Sequence, residues 1–525
     1  MPDRPDAAPP PRATSADDGH HMARGAAANA LVLLASNFRG VFIFLIARLL
    51  GEAALGRFGL AFATTELLSK AGMLGFDNSI IPFLAPRLQR GDAAGARSLF
   101  HRMAVLAGAA SALLAAVAVP VVWLAAARGF DAFTHGGAVM LLALPGIAVA
   151  RIATGASRSV LAMSNEFYSR GITETWVTTA VFLVAIGLGL RDVAPALAVA
   201  VGTTAAAIVA YVLAGRALAP RLRSGPEASP LRAGPETTRD GLLRFSIPIA
   251  GASLLTVLVM QADVLLLGAF VGRAPGVTAE AFGVFCAAAQ VAGGLRKVRQ
   301  VFDPVFAPIV ANRAVASERA ALRQTVAGPG RWVLSAQLPI VGALMLAAGP
   351  IMSIYGAGFR SGASWLALLA LAHGTNTFAG LVETLLMIER PGLNLVNAAA
   401  TVVVQVGAGL LLIPAFGVTG AAVAMCLGFA VQGVLRFAEV RHVFGWTWPW
   451  ESLIRPLVAA SGAAVPAVLL RLQGGVAWEL GSAVAFLLCY ALGWLWLGAD
   501  PEDQEVWRRL VRRKAPADAA APSST

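Results

Sequence analysis

Charge is scarce in this chain, and the scarcity decides what class of protein it encodes. Charged residues are 13% of the 525, where a soluble domain carries about 25%, so a water-soluble fold of this size is excluded. Cysteine is nearly missing as well. Cys286, Cys426 and Cys489 all fall within apolar stretches, which excludes a disulfide framework and leaves them as small packing residues. The sequence has no Cys and His spacing of the metal-ligand kind and no G-x-x-x-x-G-K-[ST] phosphate loop, so neither a metal, a cofactor nor direct use of ATP is expected. Lysine is limited to Lys70, Lys297 and Lys514 among 41 basic residues. That bias toward arginine, with abundant Ala and Gly, suggests a GC-rich bacterial genome. Long polar outer loops are missing too. Their absence argues against a membrane glycosyltransferase or polymerase, which needs such a loop to bind sugar donors, and no catalytic residue is assigned.

What the chain does have is apolar length. Residues of the apolar class make up 57%, and the mean hydropathy is +0.71. Fourteen stretches between Ala28 and Gly498 are each long enough to cross a bilayer, a crossing helix needing about 20 mostly apolar residues. Met103 to Ala127, Ile247 to Val271, Ala398 to Ala415 and Val476 to Leu497 are examples. In hydrocarbon the backbone must satisfy its own hydrogen bonds, so these stretches are expected to be helices. The fold class is an all-α polytopic membrane protein of about 14 spans. A net charge of +12 does not point to nucleic acid, because it is spread over many short loops.

The distribution of that charge sets an orientation. With the N-terminus inside, the outer gaps hold only Arg48, Arg57, Arg128, Arg191, Arg273, Arg360 and Arg471. Arg39, Lys70 and Arg151 lie within spans, and every other Lys or Arg falls in an inner gap. This asymmetry predicts two cytoplasmic termini in a bacterial inner membrane, with the first span acting as an uncleaved signal anchor. Residues 1–24 read as a disordered cytoplasmic tail and 499–525 as a basic one. Residues 216–243, with Ser224-Gly225-Pro226 and Gly234-Pro235, read as a cytoplasmic linker.

The segments either side of that linker echo one another. Residues 46–90 contain IARLLG, RFGLAFATTELLSKAG and GFDNSIIPFLAPRLQR; residues 266–313 contain LLGAFVG, AFGVFCAAAQVAGGLRK and VFDPVFAPIVANR. Phe58-Gly59 matches Phe282-Gly283, and Phe76-Asp77 matches Phe302-Asp303 with a two-residue offset. The pattern predicts a six-helix lobe over 25–215, a second over 244–445, and two further helices over 446–498. Both copies start on the same side, so the pseudo-twofold axis runs along the membrane normal, a design that places cargo between lobes.

In order along the chain, IARLLG then LGRFGLAFA, QADVLLLGAFVG, IYGAGFRSGASWLALLALA and IPAFGVTGAAVAM resemble the polysaccharide biosynthesis (oligosaccharide flippase) family. That family belongs to the multidrug/oligosaccharidyl-lipid/polysaccharide exporter superfamily. The resemblance runs from about Ala26 to the last span. It implies two six-helix lobes forming a V, alternating access, a lipid-linked oligosaccharide as cargo and a monomer as the working unit.

A charge near the bilayer centre costs about 2.5 to 3.5 kcal/mol on insertion scales, so each has a partner or a task. The candidates for substrate binding are Arg39, Glu66, Lys70, Arg151, Asp263, Arg296, His373 and Glu383. On the functional reading they line a cationic, water-filled cavity in which guanidinium groups meet a phosphate. Gln290, Asn376 and Gln405 would wet it for sugar hydroxyls, and membrane lipid would hold the prenyl tail. Carboxylates there would steady the arginines or carry a coupling ion, H+ or Na+. On the structural reading Glu66 and Lys70, four apart on one helical face, neutralise each other. Arg158 and the Arg296 cluster then set topology, His373 is packed core, and Asp263 bonds the lobes together. The leading expectation is a flippase for prenyl-(pyro)phosphate-linked oligosaccharide, with a peptidoglycan-precursor flippase as a close relative. A cation-coupled multidrug exporter is the alternative, and a sugar polymerase or ligase the least favoured.

Overall fold

The computed structural model describes residues 39–128, 135–160, 162–221, 239–300 and 319–497. Every regular element in them is helical. In chain order these are α1 (Arg39–Leu50), α2 (Glu52–Gly72), α3 (Phe76–Gln89), α4 (Ala93–Ala127), α5 (Gly136–Ser159), α6 (Thr175–Gly187) and α7 (Ala194–Arg221). There follow α8 (Arg239–Ala269), α9 (Ala279–Gly293), α10 (Arg319–Leu346), α11 (Ala363–Glu389), α12 (Pro391–Phe416) and α13 (Val418–Phe444). The chain closes with α14 (Ile454–Arg471) and α15 (Val476–Leu497).

Among the described residues, nine helices are long and apolar enough to cross a membrane: α4, α5, α7, α8 and α11 to α15. The other expected spans have identifiable shortfalls. Helix α1 is shorter, α6 and α9 run for 13 and 15 residues, α2 carries Glu52, Arg57, Glu66 and Lys70, and α10 holds Pro329, Pro339 and Arg331. Large apolar side chains such as Leu113 and Val117 on α4, Leu410 and Leu411 on α12, and Leu492 and Trp496 on α15 face outward. In water that surface would aggregate; in lipid it is the solvated face.

Packing gathers the helices into two groups. In the first lobe α7 packs on α5 and α6, and α4 on α5. In the second, α12 packs on α13 and α8, while α11 meets α9, α10 and α13. Helices α14 and α15 pair with each other and rest on α10. The lobes meet along α2, which crosses α9 and α8. Here the repeated Phe-Gly pairs find their reason. A Cβ on Gly56 would lie 3.0 Å from the Gly283 nitrogen and the Phe282 ring, and one on Gly59 2.6 Å from Cys286 Sγ. A Cβ on Gly283 would overlap the Glu52 carbonyl at 1.8 Å. Small residues let two backbones approach this closely, as in membrane helix pairs generally.

A second lobe contact forms where α3 meets α8. The turn Leu74–Gly75 is left-handed at both residues, φ 54° and 78°, and swings α3 across the bundle. Only glycine serves at 75, since a Cβ would sit 2.2 Å from the Ser246 carbonyl. Ser79 and Ser246 share a 2.6 Å hydroxyl hydrogen bond, Asn78 donates to Ser253 at 3.4 Å, and Phe83 meets Phe245 edge-on. The expected linker is narrower than 216–243. Helix α7 continues to Arg221 and α8 begins at Arg239, because the apolar pattern persists past the first basic residues. Its Pro-Gly core, both tails, the matched Phe302-Asp303 and the start of the first span lie outside the described residues.

Candidate functional site

A cavity of about 240 Å³ lies between the lobes. The first lobe supplies Phe42, Phe58, Phe62, Glu66, Glu174 and Thr178; the second supplies Gln261, Asp263, Gln290, Arg296 and His373. Four of the eight candidates therefore share this space: Glu66, Asp263, Arg296 and His373. Helical spacing brings them in, since Gln290 and Arg296 come off the last turns of α9 and its exit, while Gln261 and Asp263 come off α8. Arg296 is half-buried, and its Nε donates at 3.2 Å to the Gly293 carbonyl. Among the described residues it forms no ion pair, so its remaining donors are available to the cavity. Asp263 is buried, and its Oδ1 receives no hydrogen bond there; the same is true of His373 Nδ1.

Glu66 links this cavity to a smaller side chamber lined by Arg151, Arg170, Glu174 and Thr203. Its Oε1 lies 4.0 Å from Arg151 Nη2, and its Oε2 accepts from Gln261 Nε2 at 3.1 Å. Arg170 reaches Glu174 at 3.6 Å and Glu166 at 3.2 Å. Arg170 and Glu174 come from a π-helical stretch, Phe167–Glu174, whose wider turn is a known mark of functional segments. Arg158 grips Glu166 with two nitrogens at 2.7 and 3.0 Å. Burial pushes the Glu166 carboxyl up, but the Arg158 hydrogen bond and the charges of Arg158, Arg170 and Arg151 hold it below its usual value.

The remaining candidates sit elsewhere. Lys70 is not paired with Glu66, as the four-residue spacing suggests. It bonds Asp77 Oδ2 at 2.7 Å, because the Leu74–Gly75 turn returns the start of α3 to it while Glu66, one turn back, faces α5 and α8. Glu383 is held by Arg299 Nη1 at 3.0 Å and Arg436 Nη2 at 2.8 Å, in a cluster that also joins Asn376 to Arg436. Arg39 opens α1, and its side chain lies outside the described residues.

Taken together, Arg151, Arg170 and Arg296 face Glu66, Glu174 and Asp263 across the two spaces. The lining is charge-balanced rather than cationic. It can take an anion when a proton or metal cation settles on one of the carboxylates, and a cation when it does not. Sequence reasoning missed Glu174 and treated Arg170 and Arg436 as loop charges. Arg436 is in fact 5% exposed. Its signal was Gln432, Arg436 and Glu439 at helical spacing on α13, facing Asn397, Thr401 and Gln405 at the same spacing on α12.

The profile of a family described as polysaccharide biosynthesis protein matches residues 23–296. No curated protein matches the chain. Among solved structures, an inward-facing multidrug resistance MATE family transporter of the MOP superfamily aligns with a TM-score of 0.61 at 16% identity, covering 78% of this chain and 94% of that one. The lipid II flippase MurJ in an inward closed conformation aligns at 0.58 and 11% identity, over 92% of this chain and 99% of its own. A MOP superfamily transporter from Pyrococcus furiosus, described as having a binding pocket of reverse polarity, aligns at 0.54 and 15% identity, over 83% and 97%.

Proposed function

The chain belongs to the polysaccharide biosynthesis protein family, and on that premise we propose that it is a flippase for a prenyl-(pyro)phosphate-linked oligosaccharide. It carries this lipid from the inner to the outer leaflet of a bacterial cytoplasmic membrane by alternating access, working as a monomer with both termini cytoplasmic. The observation that carries the reading is Arg296: a guanidinium on the wall of an inter-lobe cavity with no ion pair among the described residues. A bare phosphate cannot cross hydrocarbon, because an unpaired buried charge is far too costly. Arg296 offers it paired donors, and Arg151 and Arg170 extend the basic lining through the Glu66 side chamber. Gln261, Gln290 and Thr178 serve sugar hydroxyls, and the prenyl tail remains in lipid.

The balanced lining supplies the coupling. A proton, or Na+, on Asp263 removes one negative charge from the cavity and leaves the arginines in excess, so the anionic cargo and the cation load together. In reconstituted vesicles Arg296→Gln and Arg151→Gln are expected to leave the lipid intermediate in the inner leaflet. Full transport by both variants overturns the reading.

One observation favours a second reading, a cation-coupled multidrug exporter: the same cavity offers Glu66 and Asp263 to a cationic compound. Unchanged drug susceptibility of a deletion strain, with loss of surface polysaccharide, decides for the flippase.

A further inference from the structure

A second cavity of about 210 Å³ lies within the first lobe, at the opposite end of α2 from the side chamber. Arg57 on α2 and Arg191 before α7 line it, together with Asp192 and the glycine pair Gly136-Gly137. Among the described residues neither arginine forms an ion pair or a side-chain hydrogen bond. Asp192 leaves the lining with one positive charge in excess, and Glu280 acts on Arg57 only at longer range. Arginine is rare at this end of the bundle: the outer gaps hold seven in the whole chain, and two of them face this one space.

Phe58 lines both this cavity and the central one. It is 9% exposed, stacks on Phe62 and meets Phe42 edge-on, so it stands as the partition between them. The three spaces are thus staggered along α2 and overlap in part: the side chamber spans Phe62 to Ser69, the central cavity Leu55 to Glu66, and the far one Ala54 to Ala61. Only the side chamber reaches Ser69, and only the far cavity reaches Ala54 and Arg57. At about 1.5 Å per residue the series runs for roughly 22 Å, and each space has at least one arginine in its wall.

We propose that the Arg57–Arg191 cavity is a second anion site, where the phosphate or acidic-sugar head group is received after it passes Phe58 and before release. The inference rests on the flippase reading and deepens it. Two guanidiniums at one cavity match a phosphate by paired donors, and a site at the far end gives the head group a partner as it leaves Arg296.

The test is arginine footprinting with phenylglyoxal on the full chain in lipid nanodiscs, read residue by residue by mass spectrometry. Pyrophosphate is one probe, farnesyl pyrophosphate the other, and potassium chloride at matched ionic strength the control. At about four times its dissociation constant a bound ligand leaves one fifth of the site free, so modification of Arg57 and Arg191 is expected to slow about fivefold. Protection by both probes alike assigns phosphate chemistry alone, and protection by farnesyl pyrophosphate only assigns a lipid-borne head group. Equal slowing by chloride overturns the site, reducing it to charge screening. Protection of Arg296 without Arg57 and Arg191 overturns the second site and leaves the flippase standing. Absence of protection at all three counts against the flippase reading itself.

Discussion

Arg436 and Glu383 show what a charge inside an apolar bundle requires. One Glu383 oxygen accepts from two guanidiniums, and Arg436 also reaches Asn376. Removing the carboxylate takes from the buried Arg436 its ion-pair partner, a defect worth about 3 kcal/mol at a fully buried site and less here, where the Glu383 side chain is 36% exposed and solvent screens the charge. Glu383→Ala is therefore expected to lower the midpoint of thermal unfolding in detergent by several degrees, and Arg436→Met by a similar amount. An unchanged midpoint for both variants would show that the cluster is solvated. Asp263 calls for a different measurement. Its Oδ1 receives no hydrogen bond among the described residues, and the residue lines the inter-lobe cavity without an ion pair among them. Asp263→Asn is expected to fold normally while transport stops responding to an imposed proton or sodium gradient; a variant that still responds removes Asp263 from the coupling. At this scale the sequence says which residues are polar within apolar runs, and it says so well. Their partners stay hidden, because the rotation of each helix depends on neighbours far away in the chain. Arg436 was misread for that reason: position near a helix end looks the same whether the side chain points to water or inward.

The helices were legible and their joints less so. Spacing puts Glu66 and Lys70 on one face, but the left-handed Leu74–Gly75 turn gives Lys70 a closer anion in Asp77. Each single substitution, Lys70→Met or Asp77→Asn, leaves one partner stranded. The double variant restores most of the lost thermal stability, as a coupled pair requires. Additive losses would show that the two residues act independently. The α2–α9 crossing makes a second prediction. Gly283 has no room for a Cβ against the Glu52 carbonyl, and overpacking of this kind costs about 1 to 3 kcal/mol. Gly283→Val should push the helices apart, which pulsed electron–electron distances between spin labels on α2 and α9 would record. Unmoved distances with full transport would mean that this crossing does not hold the lobes together.

At the scale of the whole molecule, composition alone indicated a polytopic helical protein, and the internal echo indicated two lobes. Both survive because apolar length and repetition are written locally, residue after residue. The division of the cavity lining between acids and arginines was not, since it arises only when helices from both lobes converge. The proposed alternating access makes one demand on the assembled bundle: the lobes must part somewhere. The α3–α8 seam, with Ser79 and Ser246 in hydroxyl contact at 2.6 Å, is the place to hold them shut. In a chain whose own three cysteines are replaced, Ser79→Cys with Ser246→Cys is expected to form a disulfide that halts transport until reductant is added. Undiminished transport by the oxidised protein would rule out opening at that seam.

The glycine crossing carries one more implication. A bearing in which backbone meets backbone, as at Gly56 and Gly283, has few side chains to repack when its two halves roll. Under the proposed alternating access, rotation of the lobes then spends its energy on cargo and seals rather than on the pivot. On the proposed flippase reading, the walls on either side are free to be rewritten for a different cargo while the axle beneath them keeps its fit.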